Sequence, residues 1–169
     1  MKKGIILGFV VAASTSLLLL GLANARGNGT QVRASSSSQT TVYIHTITEA
    51  NGTTSITADD IQWYAGEEAN KQFREHEGNA DVTEAPDGYY IVNDSSELES
   101  LKIAADAEIL MQIYDRPGHE SEFNPNESIT LKQLTALFNQ KDGLDMRDYP
   151  FHLTIQHGEV VKIVQQYIS

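Results

Sequence analysis

Residues 59–73 read DDIQWYAGEEANKQF and hold the chain's single tryptophan, a neighbouring tyrosine and four carboxylates. Two chemistries suit such a set. Aromatic faces beside hydrogen-bonding groups recognise peptides, glycans or small ligands. A pair of carboxylates, one acting as acid and one as base or nucleophile, hydrolyses glycosidic bonds. On a strand, Ile61 and Trp63 share one face, and Gln62 and Tyr64 share the other. With the first face turned to the core, Trp63 is expected to be a packing anchor. The candidate ligand-binding residues are then Asp60, Gln62, Tyr64, Glu67 and Glu68. Glu67 and Glu68 are adjacent, so on a helix they point about 100° apart and cannot share a proton. A helix start also stabilises their charged forms, which suits them to accepting hydrogen bonds or binding a cation rather than donating protons. Asp60 and Glu67 form an acid pair only if the strand-to-helix turn folds back.

Other catalytic chemistries find little support in the chain. It has no cysteine and no Gly-x-Ser-x-Gly elbow, and its serine run at residues 35–38 offers no fixed base. The His-Glu-x-x-His pattern is absent. His45, His76, His119, His152 and His157 are scattered, and Glu75-His76-Glu77 reads as the polar end of a helix. Asp142, Asp145 and Asp148 in KDGLDMRD are hard oxygen donors of the kind calcium takes, but their order is not that of an EF-hand. The expectation is no catalytic residue, no metal ligand set and no cofactor, with weak calcium binding at that loop left open.

Charge narrows the partners. The chain carries 23 acidic and 12 basic residues, a net charge of −11. Such a surface repels nucleic acid and anionic lipid, and attracts cations or basic partners. It also serves solubility.

The elements that position the candidates follow from local patterns. Asn51-Gly52 lies between runs of alternating β-branched and aromatic residues, which predicts a hairpin with strands at 41–48 and 54–64. Ala65, Ala69 and Phe73 then fall four apart, as on one face of a helix that Gly78 would stop. A helix beginning earlier would use Thr57 to Asp60 as a capping box. The β-forming character of Ile61, Trp63 and Tyr64 favours the strand. Tyr89-Tyr90-Ile91-Val92 follows a Pro-Asp-Gly turn, and 98–103 and 107–114 are further strand candidates, broken near Ala105-Asp106. Residues 115–127 read as a polar loop. Thr130 and Gln133 have capping-box spacing ahead of an apolar stripe, Leu131, Leu134, Leu137 and Phe138, with Gly143 as a stop. Two strand patterns around His157-Gly158 predict a closing hairpin. The expected class is α+β, a mainly antiparallel sheet or a partly open small β-barrel with two packed helices.

Lys2-Lys3, an apolar run from Ile5 to Leu22 and Ala23-Asn24-Ala25 read as a cleaved signal peptide over 1–25. An uncleaved anchor is the alternative, since about 18 apolar residues span a bilayer. Residues 26–40, rich in Gly, Ser and Thr, read as a flexible linker, leaving a single domain over 41–169. The stretches DDIQWYAGEEA, DGYYIVN and HGEVVKIVQQYI together resemble a group of small exported proteins of Gram-positive bacteria whose function is uncharacterised. The resemblance covers most of 41–169. It implies an extracytoplasmic protein and assigns no activity and no catalytic residue. The C-terminal half also looks, in pattern alone, like small oligonucleotide-binding-type or SH3-like barrels. The expected function is a non-catalytic secreted or envelope-associated module that binds an extracellular ligand or protein. The membrane is a partner only if the leader is retained. The alternative is an extracellular hydrolase using an acid pair at the strand-to-helix junction.

Overall fold

The computed structural model describes residues 37–78, 82–116 and 121–168. The expected signal peptide over 1–25 and most of the expected linker over 26–40 lie outside them. The last four linker residues do not: β1 spans Ser37–Ala50, and Ser37 to Thr40 already pair with the penultimate barrel strand. Ladder hydrogen bonds order this polar stretch although its composition alone would leave it loose.

β1 turns at Asn51-Gly52, both at positive φ, into β2, Thr53–Ala65. Helix α1, Gly66–Glu77, follows directly, so the strand reading of 61–64 holds, and Ala65 is the extended N-cap rather than part of the helical stripe. β3 is Tyr89–Val92 and β4 is Leu98–Met111. β4 is one strand where two were expected. The break near Ala105-Asp106 is instead a shift of register between Ile103 and Glu108, a bulge within a continuous ladder. β5, Glu127–Ser128, is a two-residue strand that begins on the last residue of the expected loop and ends just past it. Helix α2, Leu131–Asn139, carries the complete Thr130–Gln133 capping box. It ends before Gly143, which lies against Asp115 instead. A 3-10 turn over Met146–Asp148 leads to β6, Pro150–Gln156, and β7, Glu159–Gln165, joined at His157-Gly158.

β1, β2, β4, β7 and β6 pair in that cyclic order and close a five-stranded barrel. Every barrel pair is antiparallel except β4 with β7, and that parallel pair is the seam that completes closure. Counted within the barrel the order is 1-2-3-5-4, with α2 between the third and fourth strands. This is the Greek-key plan of oligonucleotide-binding-type barrels, a plan that carries no function by itself. The interior holds Val42, Ile44, Ile56, Ala58, Ile103, Ile109, Phe151, Leu153, Val160 and Ile163. Leu134, Leu137 and Phe138 of α2 join the same cluster, near the β1–β2 hairpin, where α2 shares a groove with Glu49 and Thr54. Buried Gln165 is satisfied: its Oε1 accepts from the backbone N–H groups of Gln112 and Ile113, each at 2.9 Å.

Candidate functional site

β2 is longer than the barrel needs. Its first part, Thr54 to Asp59, pairs with β4, and its last four residues, Gln62 to Ala65, leave the barrel and pair with β3. The overhang therefore projects two faces beyond one barrel mouth. Register assigns the residues to each. Val42 lies opposite Asp60, and Val42 is interior, so Asp60, Gln62 and Tyr64 continue the interior face. Tyr43 lies opposite Asp59 and Thr41 opposite both Ile61 and His152. Asp59, Ile61 and Trp63 thus belong to the outer face.

The interior face opens into a cleft of about 600 Å³ lined by Asp60, Gln62, Val92, Asp94, Glu97 and Glu99, with Ser95 and Leu98 completing its wall. Asp60 accepts a hydrogen bond from the Thr40 hydroxyl, and the Tyr64 hydroxyl donates to Gln62 Oε1. α1 packs on this side. Phe73 meets the Tyr90 ring edge-on at 5.7 Å, and the Tyr90 hydroxyl donates to Glu77 at 2.9 Å. Of the five sequence candidates, Asp60 and Gln62 line this cleft and Tyr64 holds Gln62. Glu67 and Glu68 stand exposed in the first turn of α1, outside it. Glu68 is held below the usual carboxylate range by hydrogen bonds from Gln72 and Lys71. The structure therefore brings together the strand candidates but not the helix pair.

The outer face carries what sequence reasoning missed. Trp63 is not a core anchor. It is half-buried outside the core cluster, stacked on Tyr89 with ring centroids 4.6 Å apart and planes 16° from parallel. His152 meets Trp63 edge-on at 6.3 Å. Both imidazole nitrogens are engaged, Nδ1 with the Thr41 hydroxyl at 2.9 Å and Nε2 with Gln166 Oε1 at 3.0 Å. The correction has a simple cause. The alternation of faces holds, but the register turns the Ile61 and Trp63 face outward, and Trp63 lies past the barrel on the β3-paired overhang, where no core covers it.

Next to this pair is a cleft of about 350 Å³ lined by Tyr43, Ile44, His45, Asp59, Asn93, Arg147 and Asp148. Asp59 is 7% exposed. Its Oδ2 accepts from Asn93 Nδ2 at 2.7 Å, and no described residue donates to its Oδ1. It is the one buried side-chain oxygen or nitrogen among the described residues left without a partner. A buried polar atom in that state costs roughly 1–3 kcal/mol, more when charged, so its retention calls for a reason. The Tyr43 hydroxyl is pushed above its ordinary range, first by burial and then by the nearby Tyr89 and Asp148. Arg147 is already engaged: Nε donates to His45 O at 3.1 Å, Nη2 to Phe138 O at 2.8 Å, and Nη1 pairs with Asp145 at 2.9 Å. A sequence signal for Asp59 existed. The alternation that grouped Ile61 with Trp63 also places Asp59 on their face, an acid in an otherwise apolar series.

Asp142, Asp145 and Asp148 do not form a calcium cage. Asp145 caps the 3-10 turn by accepting from the Arg147 N–H, and among the described residues no three His, Asp or Glu side chains converge as metal ligands would. No protein-family model, curated protein or solved structure matches the chain.

Proposed function

We propose that the chain is an exported or cell-envelope-associated protein that binds an extracellular ligand or protein without catalysis, through the β2–β3 overhang. The single observation that carries the reading is the half-buried Trp63–Tyr89 stack on the same outer face of β2 as the buried, under-satisfied Asp59. Rigid aromatic surface next to a fixed hydrogen-bonding group is what recognition sites are made of. Export is supported by the leader-like N-terminus and by the resemblance of DDIQWYAGEEA, DGYYIVN and HGEVVKIVQQYI to small exported proteins of Gram-positive bacteria. The strongly acidic chain disfavours nucleic acid as the ligand despite the barrel plan. The test uses Trp63 as its own reporter. Fluorescence titration against glycans, peptides and small molecules should give a saturable change that Tyr89→Ala abolishes. A protein whose Trp63 emission responds to no member of such a panel is not using this surface for recognition.

A second reading, an extracellular hydrolase, is favoured by one observation: Asp60, Asp94, Glu97 and Glu99 line a common cleft. Glu67 is outside that cleft, so the acid pair first expected with Asp60 would need one of the other three. Saturable turnover lost in a folded Asp60→Asn variant would establish it. Lost affinity without any turnover supports binding.

A further inference from the structure

We infer that the Asp59 cleft takes an organic cation bearing N–H donors, an alkylammonium or a guanidinium. The inference rests on the binding reading above and supplies the chemical class of its ligand. Asp59 Oδ1 is buried and accepts nothing from any described residue, so the missing partner is a donor. Asp148, on the rim of the same cleft, forms no ion pair with a described residue. Among the described residues the only Lys or Arg in the lining is Arg147, whose charge is matched by Asp145 and whose other nitrogens serve the carbonyls of His45 and Phe138. The unbalanced charge of the cleft is therefore negative. Tyr43 forms one wall, and its phenol supplies both an aromatic face and a hydroxyl.

Competing ligand classes fit less well. An anion meets two carboxylates. A neutral donor, such as a sugar hydroxyl, hydrogen-bonds the Asp59 carboxylate but leaves both charges uncompensated. A bare metal ion needs several converging oxygen ligands, and no such set of three is gathered among the described residues. An ammonium or guanidinium answers each demand: it donates to the Asp59 carboxylate, neutralises the pair and lies against the Tyr43 ring.

The experiment titrates the full folded chain by NMR, following the Asn93 side-chain amide and the Trp63 indole N–H. The probes are N-acetyl-lysine methylamide, N-acetyl-arginine methylamide and spermidine. Tetramethylammonium is the control, since it carries charge but no donor. Saturable shifts are expected with at least one probe, with tetramethylammonium roughly tenfold weaker or more. Tighter binding of the blocked amino acids identifies a protein side chain as the source, and tighter binding of spermidine identifies a free polyamine. Asp59→Asn should weaken the best probe roughly tenfold or more. Exposed Asp148→Asn, which leaves the interior untouched, should weaken it a few-fold and flatten its salt dependence. The inference is overturned if no probe saturates, or if folded Asp59→Asn and Asp148→Asn both bind as the parent does. Cation probes failing while Trp63 still responds saturably to a neutral glycan or peptide would sink this inference and leave the binding reading standing.

Discussion

The two ends of β2 differ in kind. Near the β1–β2 hairpin, Ile56 and Ala58 point into a closed core that α2 seals with Leu134, Leu137 and Phe138. Six residues further on, the same alternation continues with no core to face. One side becomes a carboxylate-lined cleft, and the other carries an aromatic stack and, four residues back along the same face, a buried acid. The first end minimises free energy: its apolar groups are buried and its helix start is capped. The second keeps features that cost stability, above all Asp59 Oδ1. Departure from local consistency at one place in an otherwise consistent fold is how functional sites ordinarily announce themselves.

Substitutions should separate the ends. Phe138→Ala at the sealed end should cost about 3–5 kcal/mol in urea unfolding, because a 2% exposed ring leaves a cavity. A smaller but sharp effect is expected at Gly143, where φ is +89° and an added Cβ would overlap the Asp115 carboxylate that accepts from the Leu144 N–H. Gly143→Ala should cost about 1–3 kcal/mol, read as a lowered unfolding midpoint. Trp63→Ala at the overhang should cost only about 1–2 kcal/mol, since the ring is half-buried and loses chiefly its stack on Tyr89. A loss near that of Phe138→Ala would erase the contrast between the ends. Thr130→Ala removes one half of the capping box and should cost about 1 kcal/mol.

Acid sharpens the comparison from another side. Glu127 on β5 is held below its usual range by the Arg116 guanidinium, by the Tyr114 hydroxyl and by Asn124. A carboxylate depressed in the folded state stabilises fully above its unfolded pKa and loses that contribution as pH falls through its lower folded value. Stability should therefore decline as pH drops below about 4.5, and Glu127→Gln should flatten part of that decline.

Local features were legible in the sequence. Asn51-Gly52 and His157-Gly158 mark turns because positive φ restricts the residues that fit, and Thr130 to Gln133 marks a helix start because both cap partners lie within one turn. The apolar stripe of α2 and the α+β class followed from period. Closure did not, because the β4–β7 seam joins residues more than fifty apart and leaves no local mark. Nor did the overhang, since nothing within β2 tells where its partner changes from β4 to β3. The candidates Asp60, Gln62 and Tyr64 followed from strand alternation and residue type, and they do share a face. Asp59 was passed over because its cleft draws on β1, β2, the β3–β4 link and the 3-10 turn. Four distant segments meet there, and only the fold shows it.

The central claim is that Asp59 is kept for a ligand at the expense of the free protein. Urea unfolding of Asp59→Asn against the parent at neutral pH tests it most directly. The substitution keeps the shape, lets Asn93 still donate to the side-chain oxygen and removes a buried charge that lacks full compensation. The account predicts a midpoint unchanged or raised, together with weakened binding of the best cation probe. A loss of more than about 1 kcal/mol with unaltered binding would make Asp59 a structural residue and contradict the account.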